Sequence, residues 1–288
     1  MKLSILSILI VLAGWAITAQ AQDDYVAMIA DIEGSASINT MGESQVADIL
    51  IELTAGSQLQ LEEGAKLTLF YFESSQEYSF VGPAQVSLEA QSPKILAGVE
   101  AESRNLNMAK LADIAAEDEG SIGLGVLKLR NFEKPKLQLL EPVDAIVLTK
   151  DVRFSWLAVE GASSYEFILS DELGKRIADT QVSTNSISLP SDTQLTPGAE
   201  YTWEIITQTS DQTEYRAHAY FNVAEDYLSN QVEEARPSAS AGFAEKVVFA
   251  RLLEKLGLKP AANALWQELA ALKPNSAVLQ TRSEAVSH

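Results

Sequence analysis

One stretch constrains this chain more than any other, residues 195–205, reading Leu-Thr-Pro-Gly-Ala-Glu-Tyr-Thr-Trp-Glu-Ile. Pro197-Gly198 sets a tight turn, because proline fixes the first turn residue and glycine takes the left-handed one. Beyond the turn, Tyr201, Trp203 and Ile205 alternate with Thr202, Glu204 and Ile206, the period of a strand with one large apolar face. A tyrosine at the start of such a strand can bond its hydroxyl back to the turn backbone, the tyrosine corner of two-sheet β-sandwiches. The stretch therefore predicts a sandwich around it, over residues 137–224.

The surrounding sequence agrees. Leu140 is followed within two residues by Pro142, as at the end of an edge strand. Val152, Phe154 and Trp156 alternate with Arg153 and Ser155, and Tyr165, Phe167 and Leu169 alternate with Glu166, Ile168 and Ser170. The turn Asp171-Glu172-Leu173-Gly174 leads to Arg176-Ile177-Ala178, and Ile187 and Leu189 supply a short strand before Pro190. In the last strand Tyr215, Ala217, Ala219, Phe221 and Val223 share one side, and Arg216, His218, Tyr220 and Asn222 the other. Seven short strands of this kind make an immunoglobulin-like sandwich. With Trp156, Tyr165, Leu195 and Tyr201 at their places in "F.W..v.GA..Y.f.l.d..G", "L.pG..Y.W.i" and "a.F.V", the segment resembles a fibronectin type III domain. Trp156, Tyr165 and Trp203 are then core residues and not a sugar-stacking platform.

Residues 24–100 carry a second series of short alternating runs broken by glycine, again an all-β pattern. The strand-like opening ends at Gly34, Leu59 and Leu61 alternate with glutamines, and Leu67, Leu69 and Tyr71 follow a Glu63-Gly64 turn. The run 53–59 (LTAGSQL), then 64–69 (GAKLTL), then Tyr78 through Leu88 with Gly82-Pro83-Ala84, resembles the FecR domain of bacterial envelope proteins. That resemblance implies a noncatalytic periplasmic β domain. Members that regulate sigma factors carry a cytoplasmic segment before a membrane helix, whereas only Met1-Lys2 precede the apolar run here, which counts against the expectation of that role.

Between the two β segments, residues 101–136 read as a connector. Leu106, Leu111 and Ile114 stand at loosely helical spacing, and the acidic run from Glu117 to Glu119 lacks the alternating oxygens and distal Glu of a calcium loop. Gly120, Gly123 and Gly125 lack the Lys-Ser/Thr ending of a phosphate loop. Past Val223 the period changes from two to about four, predicting helices over residues 225–288: a short one over 226–235, one ending at Leu256-Gly257, one opened by Pro260 and closed at Lys273-Pro274, and a third over 276–286. Ala250, Leu253, Gly257, Ala262, Trp266 and Pro274 stand at the spacing of a tetratricopeptide hairpin, which the segment resembles, with Lys246 in place of the early aromatic. A single such repeat cannot bury its apolar face alone, so Trp266 must cover the sandwich, the helix over 226–235, or another protein.

Residues 1–21 have the charged start, apolar core and Ala19-Gln20-Ala21 box of a cleavable secretory signal, with an uncleaved anchor as the rival reading. A periplasmic or secreted chain follows. The formal charge of −19 repels phosphates and anionic lipid, which argues against nucleic acid and membrane surfaces as partners. There is no cysteine, and the two histidines stand at no zinc spacing, so no cofactor and no metal are expected.

The expected fold is mostly β with a C-terminal α segment, and the expected function that of a non-catalytic envelope interaction protein, its partner another envelope protein. A carbohydrate- or peptidoglycan-binding module using outward sandwich faces is the alternative, and a hydrolase using His218 the third reading. No catalytic residue is assigned. Candidate partner contacts are Trp266 and Leu253 on the helical hairpin, and Tyr220 and His218 on the outward side of the last strand.

Overall fold

The computed structural model describes residues 25–117, 137–149, 152–190 and 193–284; the expected signal, the glycine-rich part of the connector and the last residues of the third expected helix lie outside them. The fold is mostly β, with several antiparallel sheets and a C-terminal helical segment, the class expected from sequence.

The N-terminal half is a sandwich of two five-stranded sheets. One sheet has the order β10 (Glu102–Asn105), β7 (Gln76–Val81), β6 (Lys66–Tyr71), β1 (Tyr25–Glu33) and β4 (Glu52–Thr54). The other has the order β3 (Glu43–Val46), β2 (Ala36–Thr40), β5 (Gln58–Leu61), β8 (Ala84–Leu88) and β9 (Pro93–Ala97). Between them Ala27, Ile29, Leu67, Leu69 and Tyr71 of the first sheet meet Ile38, Leu59, Leu61, Val86 and Leu88 of the second. Gly82 permits the corner before β8, since a Cβ there would sit 1.9 Å from the Glu62 carbonyl oxygen. The sheet runs past residue 100, where the sequence pattern places the start of a connector. Strand β10 is wholly exposed and carries no apolar residue, so alternation could not reveal it. Arg104 holds it to β7, donating from Nε and Nη2 to the buried Glu77 carboxylate at 2.6 and 3.0 Å.

The second sandwich packs a three-stranded sheet, β11 (Leu139–Glu141), β13 (Arg153–Trp156) and β16 (Ser186–Ser188), against a five-stranded one. The latter has the order β12 (Ala145–Val147), β18 (Glu214–Val223), β17 (Glu200–Thr209), β14 (Ala162–Asp171) and β15 (Arg176–Val182). The first strand is split at Pro142. Its earlier part pairs antiparallel with β13, and after the proline it crosses to run parallel to β18, tying the two sheets at one edge. Trp156, Phe154, Phe167 and Trp203 are all fully buried, with Phe154 centred 5.2 Å from Trp203 and 4.8 Å from Phe167. The tyrosine corner is present: the Thr196 N–H donates to Tyr201 Oη at 2.9 Å. A second tyrosine does the same work, Tyr165 Oη accepting from the Val159 N–H at 2.9 Å. Trp203 Nε1 donates to the Pro142 carbonyl at 2.7 Å, so the crossing point is pinned from the core.

The helices are α1 (Ala109–Glu117), α2 (Asp226–Ala235), α3 (Phe243–Lys255), α4 (Lys259–Leu272) and α5 (Ala277–Glu284). They form a layer against the outer face of the first sheet, where Met28, Ala30 and Phe70 join Val247, Phe249, Leu253, Trp266 and Leu269 in one buried cluster. Ala224 and the partly buried Ile146 and Leu148 of the second sandwich enter the same cluster. Polar links secure both sides: Arg251 Nη2 donates to Glu52 at 3.0 Å, and the Ile146 N–H donates to the Gly257 carbonyl at 2.9 Å. Gly257, at φ +71°, turns the chain between α3 and α4 in a backbone conformation that side chains other than glycine rarely adopt. No helix among the described residues is long and apolar enough to cross a membrane.

Candidate functional site

A cleft of about 1020 Å³ lies between the second sandwich and helices α2 and α4. Local sequence makes its walls. On β13 the alternation that sends Phe154 and Trp156 into the core sends Arg153 and Ser155 out, into the cleft. Helix α2 turns Val232 and Ala235 inward and presents Asp226, Ser229, Asn230 and Glu233, at helical spacing, on the cleft side. Helix α4 buries Ala262, Trp266 and Leu269, and lays Pro260, Ala264 and Gln267 along the floor. A smaller groove of about 450 Å³ shares Arg236, Ala261 and Ala264 with the cleft and continues it over Phe249, Leu253 and Leu265.

The electrostatics are mixed. Glu141, at the end of β11, accepts from Asn263 Nδ2 at 2.8 Å. Burial pushes its carboxyl above the usual glutamate range, and the Asn263 hydrogen bond and the charge of Arg153 partly oppose that rise. Arg236 grips Glu233 through Nε and Nη2 at 3.2 and 2.8 Å, with its guanidinium 5.8 Å from the centre of the Phe249 ring. Among the described residues that line the cleft there is neither His nor Cys. Among the described residues no aromatic ring lines the larger cleft. Among the described residues no group of three or more His, Asp or Glu side chains is placed to hold a metal ion. The cleft offers amide, hydroxyl, guanidinium and carboxylate groups over a floor of small residues, and the smaller groove opens at one end of it.

The residues picked out from sequence are not brought together. Trp266 is 1% exposed and Leu253 2%, both inside the cluster joining helices to sandwiches, so Trp266 is buried within the chain's own packing. As a surface contact Trp266 is corrected: β1 is apolar on both faces, α3 covers its outer one, and α4 closes over α3 with Trp266 turned inward. Leu253 keeps a place at the base of the smaller groove. Tyr220 and His218 lie on the outer face of β18, Tyr220 45% exposed, their rings edge-to-face at 5.7 Å, away from the cleft lining. Glu141, Asn263 and Arg236 were missed. They come from segments 122 residues apart for the first pair, and no local period marks such a meeting.

No protein-family model matches this chain. No curated protein matches it either. Among solved structures, it is similar to CopC from Methylosinus trichosporium OB3b at 18% identity, covering 31% of this chain and 95% of that one with a TM-score of 0.25. The fibronectin type III domain of the human collagen alpha-1(XX) chain aligns at 14% identity over 40% of this chain and 94% of that one, TM-score 0.26. SGBP-B of a Bacteroides ovatus mixed-linkage glucan utilization locus aligns at 10% identity over 71% of this chain and 62% of that one, TM-score 0.19. Scores of this size assign neither ligand nor activity to the chain.

Proposed function

We propose that this chain is a non-catalytic interaction protein of the bacterial cell envelope that holds an extended segment of a partner protein in the cleft between its second sandwich and its helices. In this reading residues 1–21 are a signal that is removed, residues 24–100 belong to a FecR-like domain, and α3 with α4 is a tetratricopeptide-like hairpin. The observation that carries the proposal is the continuity of the cleft with the smaller groove across Arg236, Ala261 and Ala264. Asn230, Gln267 and Asn185 can exchange hydrogen bonds with a peptide backbone, each amide both donating and accepting. The small alanine side chains admit that backbone close to α4, and the recess over Phe249, Leu253 and Leu265 suits one apolar anchor side chain.

A photo-crosslinking residue at Gln267 in intact cells is expected to give a defined protein adduct, and one at Thr202, on the far sandwich face, none. Ala264→Trp fills the trough and is expected to abolish the Gln267 adduct without lowering thermal stability. Absence of any adduct from Gln267, or an unchanged adduct in the Ala264→Trp chain, would overturn the reading.

A further inference from the structure

The two sheets of the first sandwich treat their outer faces differently. One is covered by helices; the outer face of the other, formed by β3, β2, β5, β8 and β9, is open. Strand pairing sets its outward side chains in two rows. Asn39 stands opposite Ser44 and Gln58, and Gln58 opposite Ser87. In the next row Ser37 stands opposite Gln60, and Gln60 opposite Gln85. The rows frame a shallow depression of about 150 Å³. At the two edges of the face, Val46 is 78% and Leu96 50% exposed.

Charge is what makes this face unusual in this chain. With 40 acidic residues against 21 basic ones, outward strand positions elsewhere carry Glu and Arg, as at Glu204 and Arg216. The two rows carry amides and hydroxyls, with Lys94 at the end of one, paired with Glu89 at 3.9 Å, and the exposed Glu43 of β3 is the other charge in these five strands. Solubility would be served as well by carboxylates. A set of side chains that both donate and accept, with no net field, matches a ligand made of hydroxyls. Neighbours along a row are spaced about 4.8 Å apart, close to the rise per sugar of an extended pyranose chain, and Val46 and Leu96 at the edges can meet the C–H faces of sugar rings.

We propose that this amide face binds an uncharged polysaccharide strand lying across the five strands of the sheet. The site is separate from the cleft and independent of the partner proposed for it.

Affinity electrophoresis of the full chain through gels containing hydroxyethylcellulose or glucomannan, with alginate as the acidic control and chitin sedimentation alongside, tests it. Retardation by at least one neutral polymer and none by alginate is expected. The triple variant Gln58→Glu, Gln60→Glu, Gln85→Glu is expected to weaken that binding by about tenfold or more, a change of roughly 1.4 kcal/mol. The single Gln60→Ala variant, which adds no charge, is expected to weaken it less, and Ala264→Trp to leave it unchanged. Migration unaffected by every neutral polymer, or retardation that persists in a triple variant with an unaltered melting temperature, would overturn the proposal. So would concentration-dependent dimerisation in sedimentation velocity that the triple variant abolishes, since the face would then be a contact between copies.

Discussion

The two sandwiches reach similar layer architectures by different means. In the first, four consecutive residues of β1, Ala27 to Ala30, are all at most 1% exposed, because the strand has a sheet on one side and helices on the other. In the second, β13 reads Arg-Phe-Ser-Trp, strictly alternating, with one face in an aromatic core and the other in a polar cleft. A continuous apolar run in an otherwise alternating sheet thus marks the strand that carries a third layer. The helices are the seam of the molecule: without them β1 would expose its outer face, and the cleft would lose two of its walls.

Substitutions should separate the two regions. The largest effects are expected from Trp203→Ala and Trp266→Ala, about 3–5 kcal/mol each in chemical denaturation. They should differ in kind. Loss of Trp203 removes the centre of the aromatic core and its bond to Pro142, so the near-ultraviolet dichroism of the second sandwich should collapse. Loss of Trp266 loosens the shared cluster, so limited proteolysis should release the segment beyond residue 225 while that signal persists. If both variants unfold in one indistinguishable transition, the distinction between the regions fails.

Arg104→Ala comes next, at about 2 kcal/mol. It strands the buried Glu77 carboxylate and breaks the 3.0 Å ion pair between Arg104 and Glu245 of α3, which ties the first sandwich to the helices. Tyr201→Phe removes one hydroxyl from the corner of the second sandwich and should cost about 1 kcal/mol, measured as a lower denaturation midpoint with the fold retained.

The smallest effect concerns Glu141, where sandwich meets helix. Its folded-state pKa is raised mainly by burial, so the ionised form penalises the folded state. That penalty is absent below the unfolded-state value, about pH 4, and develops in full as the pH rises past the folded-state value. Glu141→Gln keeps an acceptor for Asn263 and should raise the melting temperature slightly at neutral pH, with no gain below about pH 4. A gain that instead grows toward acid would contradict the assigned cause.

Much of the second sandwich was legible in sequence because alternation, a Pro-Gly turn and a corner tyrosine are local signals. Tyr201, Trp156 and Trp203 stand where that pattern put them. Helices α2, α3 and α4 were legible through a change of period and through Gly257 and Pro260. Strands β3 and β10 were not, being short, polar and exposed, with nothing in their own residues to set them apart from loop. The candidate cleft was not legible at all, because Glu141, Asn230, Arg236 and Gln267 each look like ordinary surface residues of their own element.

By itself the sequence determined which segments are strand or helix and which side of each must be hidden, since periodicity and turn chemistry act over a few residues. Only the tertiary structure decided what hides each face. The apolar side of α3 could have met a partner protein, and it meets β1 instead, because that arrangement buries the outer face of a strand that is apolar on both sides, while α4 packs on α3 and β12. The cleft is the space left over when two sandwiches are joined through helices, a property of the assembled elements that no single stretch encodes.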